Sequence, residues 1–381
     1  MSFNRLRSPL AFFEAVLGPY APLDPGILEY AAWWASEGDK LARNAASQSD
    51  ERLLACGYAA GMIRRVQVQE SLLPSFALLY ITGFYDAGIA SLFSDCLVTH
   101  HIVDKYAPDN VRAGLLAQLA ALENPSQGGV WLPPEGRFTA RATAEGWRLT
   151  GDGTPQHGMV DLTLFPAYPE GTDTEALFLV PRQAGDGSQN RGRSGELRDS
   201  LAYLMATPTE SAALRMEIQT LSQMFATITW LGAAQRDLAD RQASPEQIDA
   251  LRVALALAWA AVQVGDDTAR EVAGLYSDTY QRFRLLALLA EVQTFTLAGD
   301  VTTVSAGPTP ERVERRLAQF PAALFELAPP LLAELAEFSD AAAPTASTDA
   351  ARAWAQVLAQ AFARKFEAAA RLCPQRLNDD S

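Results

Sequence analysis

The sequence is poor in cysteine, histidine and positive charge, and each shortage removes a class of function. Only Cys56, Cys96 and Cys373 occur in 381 residues. They are far apart, odd in number and without Cys-x-x-Cys spacing, which excludes a disulfide framework and a cysteine zinc site and points to a reducing, cytoplasmic setting. Two of the three histidines are adjacent, His100 and His101, with Asp104 a turn further on. A His and an Asp four residues apart can pair on one helix face, but a metal needs a third ligand and none lies nearby, so no metal is expected. Lysine and arginine total 31 against 45 acidic residues, a formal charge of −14. Such a chain repels phosphate backbones, so nucleic acid is not an expected partner. No run reaches the roughly 18 consecutive apolar residues of a membrane span. The opening MSFNRLRSPLAFFEAVLG is interrupted by Glu14 and lacks a small-residue cleavage site, so it reads as an amphipathic helix and not as a secretion signal. No fixed-period repeat is visible, which disfavours a solenoid.

What is present is a large apolar complement, 49% of residues against 20% charged, enough for a substantial core divided into more than one unit. The expected fold is mainly α with a small β domain. It comprises an N-terminal helical domain (1–125), a short antiparallel β middle domain with a glycine-rich loop (126–196) and a C-terminal antiparallel helix bundle (197–381). In the first region Asp24-Pro25 supplies an N-cap and an N1 proline for a helix through Ile27, Ala31, Trp34 and Leu41. Ser49 or Asp50 could cap the next. Pro74 and Ser75 open a stretch through Tyr106 too apolar around its circumference for a surface helix. Pro108-Asp109 opens another helix, which Asn124-Pro125 closes.

In the middle region five short β-type runs alternate with turn residues: VWL, RFTARAT, WRLTG, VDLTLFPAY and ALFLV. Ala144-Glu145-Gly146 sits where a hairpin turn would. The polar stretch RQAGDGSQNRGRSGE follows and then, in this reading, leads almost directly into helix. Ser244-Pro245 with Gln247 forms a capping box, Thr309-Pro310 does similar work, and helices are predicted at about 209–242, 245–274, 277–298, 310–338 and 348–372.

A helical domain, a small β domain and a second helical bundle, in this order, resemble the acyl-CoA dehydrogenase family. The local resemblance covers about residues 75 to 181. FALLYITGFYDAGIASLFSDCLVTHHIVDKYAPDNVRAGLLAQLAALEN looks like that family's central N-terminal helices, RATAEGWRLTGDG like its strand-hairpin-strand "TxA…dGyxlnGxK", and VDLTLFPAY and ALFLVPR like "aDlxlvxar" and "xaFlVp". The resemblance implies a flavoprotein carrying FAD that takes two hydrogens from Cα and Cβ of an acyl-CoA or carrier-bound acyl thioester. In that chemistry a glutamate removes the α proton and the flavin accepts the β hydride. It also implies a homo- or hetero-oligomer.

The chain departs from the family where the flavin is held. The family's "LTExxxGSD…TxA" is replaced by Leu132-Pro133-Pro134-Glu135-Gly136 and an early Thr139-Ala140-Arg141-Ala142, without the Gly-Ser-Asp loop. The stretch matching "GxKxWITNGxxAD" retains no aromatic residue; Thr154, Gln156 and His157 occupy it, able to bond to a ring or simply to close a hairpin. Trp131 adjoins the strand that would border the cofactor. The family's second run of β strands has no counterpart in this reading, so about half of the β domain is expected to be missing. Two carboxylates are candidates for the base. Glu291 lies in FRLLALLAEVQTFTLAG near Leu288 and Phe295, where burial would raise a carboxyl pKa. Glu217, in LRMEIQTLSQMF, lies on the first helix after the β domain; the polar face of an ordinary amphipathic helix is the commoner explanation of both. The alternative function is a flavin-free, non-catalytic subunit that pairs with a catalytic homologue.

Overall fold

The computed structural model describes residues 3–18, 21, 23–44, 72–119, 128–130, 135–144, 146–154, 160–181, 197–241, 243–269 and 278–300, and the structural statements below concern these. After a 3-10 turn (Phe3–Arg7) the chain forms α1 (Pro9–Leu17), α2 (Pro25–Asn44), α3 (Leu73–Tyr85), α4 (Ala87–Tyr106) and α5 (Asp109–Leu119). Then come strands β1 (Gly128–Val130), β2 (Glu135–Thr143), β3 (Gly146–Thr154), β4 (Leu162–Pro169), β5 (Ala176–Pro181) and β6 (Leu197–Ala206). Helices α6 (Ser211–Asp240), α7 (Pro245–Ala269) and α8 (Asp278–Asp300) follow. The predicted helices at 310–338 and 348–372, the Ser49/Asp50 cap, Asn124-Pro125 and Thr309-Pro310 lie outside the described residues.

The helix starts follow from local chemistry. Asp24 Oδ1 accepts from the Ile27 amide at 3.0 Å, and Ser244 and Gln247 exchange backbone-to-side-chain bonds at 3.3 and 3.0 Å, closing the capping box. The N-terminal segment is a 3-10 turn and a helix, not one helix, because Ser8 caps α1 through the Ala11 amide at 3.3 Å. The apolar stretch beginning at Pro74 divides likewise. Asp86 takes an extended conformation and its carboxylate receives the Ile89 amide at 3.0 Å, ending α3 and starting α4.

The chain forms two compact units, one of residues 1–47, 65–91 and 223–381, the other of 48–64 and 92–222. Within the first, α3 and the later part of α6 approach until their main chains touch. A Cβ on Gly83 would stand 2.3 Å from the Thr229 carbonyl oxygen, and one on Gly232 would stand 2.2 Å from the Tyr80 oxygen. Only glycine allows that separation. Around the crossing, Phe13 packs on Phe76 and Tyr80, and Phe76 meets Trp259 edge-on at 5.0 Å. Fully buried Gln235 accepts from the Tyr80 hydroxyl at 2.7 Å and donates to the carbonyls of Leu6 and Ser8 at 2.8 and 3.2 Å. The core thus satisfies its buried amide. Pro245–Asp266 of α7 is long and apolar enough to cross a membrane by length and composition, with 61% of that window buried within the protein.

The second unit holds the sheet. Its strand order is β1-β4-β2-β3-β6-β5, and β4 also pairs with β5, so five strands close into a barrel with β1 added beside β4. The expected all-antiparallel sheet is corrected here. β1 and β2 both run parallel to β4, over Gly128–Val130 against Leu162–Leu164 and over Thr139–Ala140 against Tyr168–Pro169. The barrel interior is filled by Phe138, Ala140, Leu149, Phe165, Ala167, Phe178, Val180 and Ala202, with Phe138 edge-on to Phe165 at 4.4 Å.

The expectation that the chain runs from the glycine-rich loop almost directly into helix is also overturned. Residues 197–206 form β6, a ten-residue strand that the sequence reading placed in the bundle. A bulge hides it from period-two analysis. Leu149 faces Ser200 but Gly151 faces Leu197, so Thr150 alone opposes Arg198 and Asp199. Asp199 takes φ +53° there. The extra residue shifts the phase, so Leu197 points inward before the bulge and Ser200 and Ala202 after it.

The glycine crossing gives a clean test. Gly232→Ala should destabilise the protein by roughly 2–4 kcal/mol, because the methyl meets rigid main chain. Gly114→Ala, with nothing within 4 Å of the added Cβ, should be neutral or stabilising by up to about 1 kcal/mol. Urea midpoints of the two variants check both.

Candidate functional site

Glu217 lies on α6, six residues into the helix, with 5% of its surface exposed. A carboxylate in such a place survives only if donors replace its water. The last turns of α4 supply them: Lys105 Nζ at 2.9 Å, the Tyr106 hydroxyl, and His101 Nε2 at 3.5 Å. Residues 101 and 105 stand one turn apart on a helix, so both reach the same carboxylate. Burial by itself would push the Glu217 carboxyl up, but the bond from His101 and the Lys105 charge outweigh it and hold the pKa down at about 2. Glu217 is therefore ionised and fully engaged at neutral pH. That environment suits an electrostatic clamp, and it is the opposite of the raised carboxyl that proton abstraction requires.

His100 faces the other way. It is buried, its Nε2 has no hydrogen-bond partner among the described residues, and desolvation lowers it to about 4 against an opposing pull from Asp104, with His101 lowering it further. The ion contact of the histidine pair is thus made by His101 with Glu217. Glu291 is buried on α8, with 6% of its surface exposed, in the first compact unit, whereas Glu217 belongs to the second.

Of the residues that the resemblance places at the flavin, Trp131, Gln156 and His157 lie outside the described residues. Thr154 is the last residue of β3, paired with Glu135 at the start of β2. β2 offers a further feature there. It pairs with β4 only through Thr139 and Ala140, while β1 takes the edge of β4 at Leu162–Leu164. On the side away from β3, the main chain of Glu135–Arg137 has no paired strand among the described residues. Backbone donors and acceptors along such an edge match what an isoalloxazine ring requires of a protein, so the residues present fit a flavin. β1 packs on α4: Thr99 Oγ1, which donates to the Asp95 carbonyl at 2.9 Å, lies 3.5 Å from the Gly129 oxygen, and Cys96 Sγ lies 3.8 Å from the Gly128 oxygen. Sequence reasoning missed both this edge and the Glu217 donors, because strand pairing and contacts across 112 residues leave no local signal.

The Glu217 clamp makes a prediction about acid stability. Its folded pKa lies below the ordinary value of 4.5, so its contribution is complete above that pH and is lost as the pH falls toward 2, on the order of 3 kcal/mol in all. Glu217→Gln strands Lys105 and should cost a similar amount at pH 7 while flattening the acid limb. Urea unfolding of both proteins from pH 7 to 3 measures it.

No protein-family model matches the sequence, and no curated protein matches it significantly. Solved structures do match. Bd2924 in its apo form superposes with a TM-score of 0.70 over 97% of this chain and 98% of that one, at 14% identity. KijD3 in complex with FMN and dTDP-3-amino-2,3,6-trideoxy-4-keto-3-methyl-D-glucose gives 0.56 over 96% and 98%, at 16% identity. Nitroalkane oxidase crystallised with 1-nitrohexane gives 0.57 over 80% and 91%, at 14% identity. The chain thus has the fold of the flavin-dependent, acyl-CoA dehydrogenase-like enzymes, as a divergent example of it.

Proposed function

We propose that this chain is a flavin-dependent oxidoreductase. The observation that carries the reading is its correspondence, over 96% of its length, with KijD3, whose structure holds FMN; the uncovered edge of β2 supports it. The main chain of Glu135–Arg137 would hold the ring, and Trp131, Thr154, Gln156 and His157 adjoin the same end of the barrel in sequence. A bound flavin supplies two-electron transfer, which no side chain can supply. FMN and FAD are both candidates.

The finer reading is α,β-dehydrogenation of an acyl thioester, on a CoA or another carrier. It needs a carboxylate able to accept the α proton. Glu217 is held ionised by Lys105 and His101 and serves instead to fix α4 against α6 within the second unit. Glu291 is the carboxylate that this reading keeps as its base. The flavin-free subunit remains the second reading, favoured by the short segment between Gly151 and Asp161 and by the missing Gly-Ser-Asp loop. A homo- or hetero-oligomer is part of both readings, and size-exclusion chromatography with light scattering tests it.

Equilibrium dialysis against FAD and FMN should give about one flavin per chain. Anaerobic addition of acyl-CoAs of several lengths should then bleach the flavin band, and Glu291→Gln should slow bleaching by roughly 10²–10⁴-fold. Bleaching by 1-nitrohexane but by no acyl-CoA would replace the thioester with another substrate. Failure to take up either flavin would favour the subunit reading.

A further inference from the structure

In a chain with 45 acidic and 31 basic side chains, β2, β3 and β6 bring arginines together on one face. Arg141 of β2 stands directly opposite Arg148 of β3, and Arg148 directly opposite Leu201 of β6. Phe138, Ala140, Leu149 and Ala202 fill the barrel, so by alternation Arg141, Arg148 and Leu201 point out of it. Arg198 lies exposed on β6. Like charges directly opposite each other in a sheet repel, so this arrangement persists only where something offsets it.

The β6 bulge builds the offset. Asp199, at φ +53°, is the one non-glycine residue with positive φ among the described residues, and it presents two acceptors at once. Its carboxylate takes Arg141 Nη2 at 3.2 Å, its carbonyl takes Arg148 Nη1 at 3.3 Å, and its amide donates to Thr150 Oγ1 at 3.2 Å. A bulge re-aims side chains in this way, and strained backbone gathers at sites of function. The bonds hold the guanidiniums in place without taking them out of water: the side chains of Arg141 and Asp199 are 58% and 63% exposed. At the β4 border the face ends at exposed Glu170, whose amide donates to the Ala140 carbonyl at 2.8 Å. Half-buried Tyr203 lies on β6 beyond Leu201. Arginine and tyrosine are residue types that protein interfaces favour.

The face and the unpaired edge of Glu135–Arg137 share strand β2, with Arg141 about 13–20 Å along it from that edge. A small molecule held by the arginines would not reach a ring at the edge, whereas a group on a flexible arm would. A lone anion on arginines this exposed is screened by salt, but several carboxylates on one partner act together. We propose that the face of Arg141, Arg148 and Arg198 is the docking surface for an acidic carrier protein that presents the acyl substrate on a flexible arm. Asp199 is the positioning residue that holds Arg141 and Arg148 ready. The proposal rests on the flavin and acyl-thioester reading above and selects, of the carriers that reading leaves open, a protein over free CoA.

The test is calorimetric titration of the full-length protein with a purified acidic acyl carrier protein bearing an octanoyl thioester, at low and at high salt. The wild type should bind, more weakly at high salt. Arg141→Glu and Arg148→Glu should each weaken binding by about tenfold or more. Arg236→Glu, the same change of net charge in the first unit, should bind as the wild type does. Should a reversal variant not fold by circular dichroism, Arg141→Gln and Arg148→Gln replace it, with a smaller loss expected. No binding by the wild type, or equal binding by the wild type and the Arg141 and Arg148 variants, overturns the proposal and leaves the flavin reading intact, because no flavin enters this measurement. With flavin bound, the octanoyl carrier should bleach it faster than octanoyl-CoA at equal concentration, and the reverse order overturns the proposal. Failure to take up either flavin overturns both.

Discussion

The buried carboxylate of Glu217 is the interaction on which the second unit depends. Removing a carboxylate from water costs several kcal/mol unless donors replace the lost hydration, and all of its replacements come from the last turns of α4. This fixes α4 against the start of α6. Helix α4 in turn holds β1 through Cys96 and Thr99, and β1 occupies the edge of β4 that β2 has left. The same cluster holds the Glu217 carboxyl well below its usual range, which suits a clamp better than a base poised for neutral pH.

Much of the helical frame was legible in the sequence because its signals are local. Asp24, Ser244 and Gln247 announce helix starts through hydrogen bonds that span three residues, and Gly146, opposite Thr143 at the start of β3, takes a φ of +131° that favours glycine. What was not legible depended on distant partners. Leu197 to Ala206 carries a strand pattern broken in phase at Asp199, and only the opposing Thr150 explains the break. Gly83 and Gly232 look like ordinary helix glycines until their main chains meet. Glu217 resembles any amphipathic-helix glutamate until Lys105 and Tyr106 arrive from more than a hundred residues upstream.

The candidate site was only partly readable for the same reason. The resemblance pointed to Trp131, Thr154, Gln156 and His157 through its motifs, and of these only Thr154 lies among the described residues. It also suggested that half of the β domain was gone, whereas the barrel closes with β6 in place. The described strands persist. A fold can keep its frame while changing its site.

The central claim is that this frame still holds a flavin. The most direct measurement is the absorbance of the purified protein between about 350 and 500 nm, before and after incubation with FMN and with FAD and removal of the excess. The account predicts a protein-bound flavin spectrum at about one flavin per chain with at least one of the two. A protein that stays colourless after both incubations would contradict it.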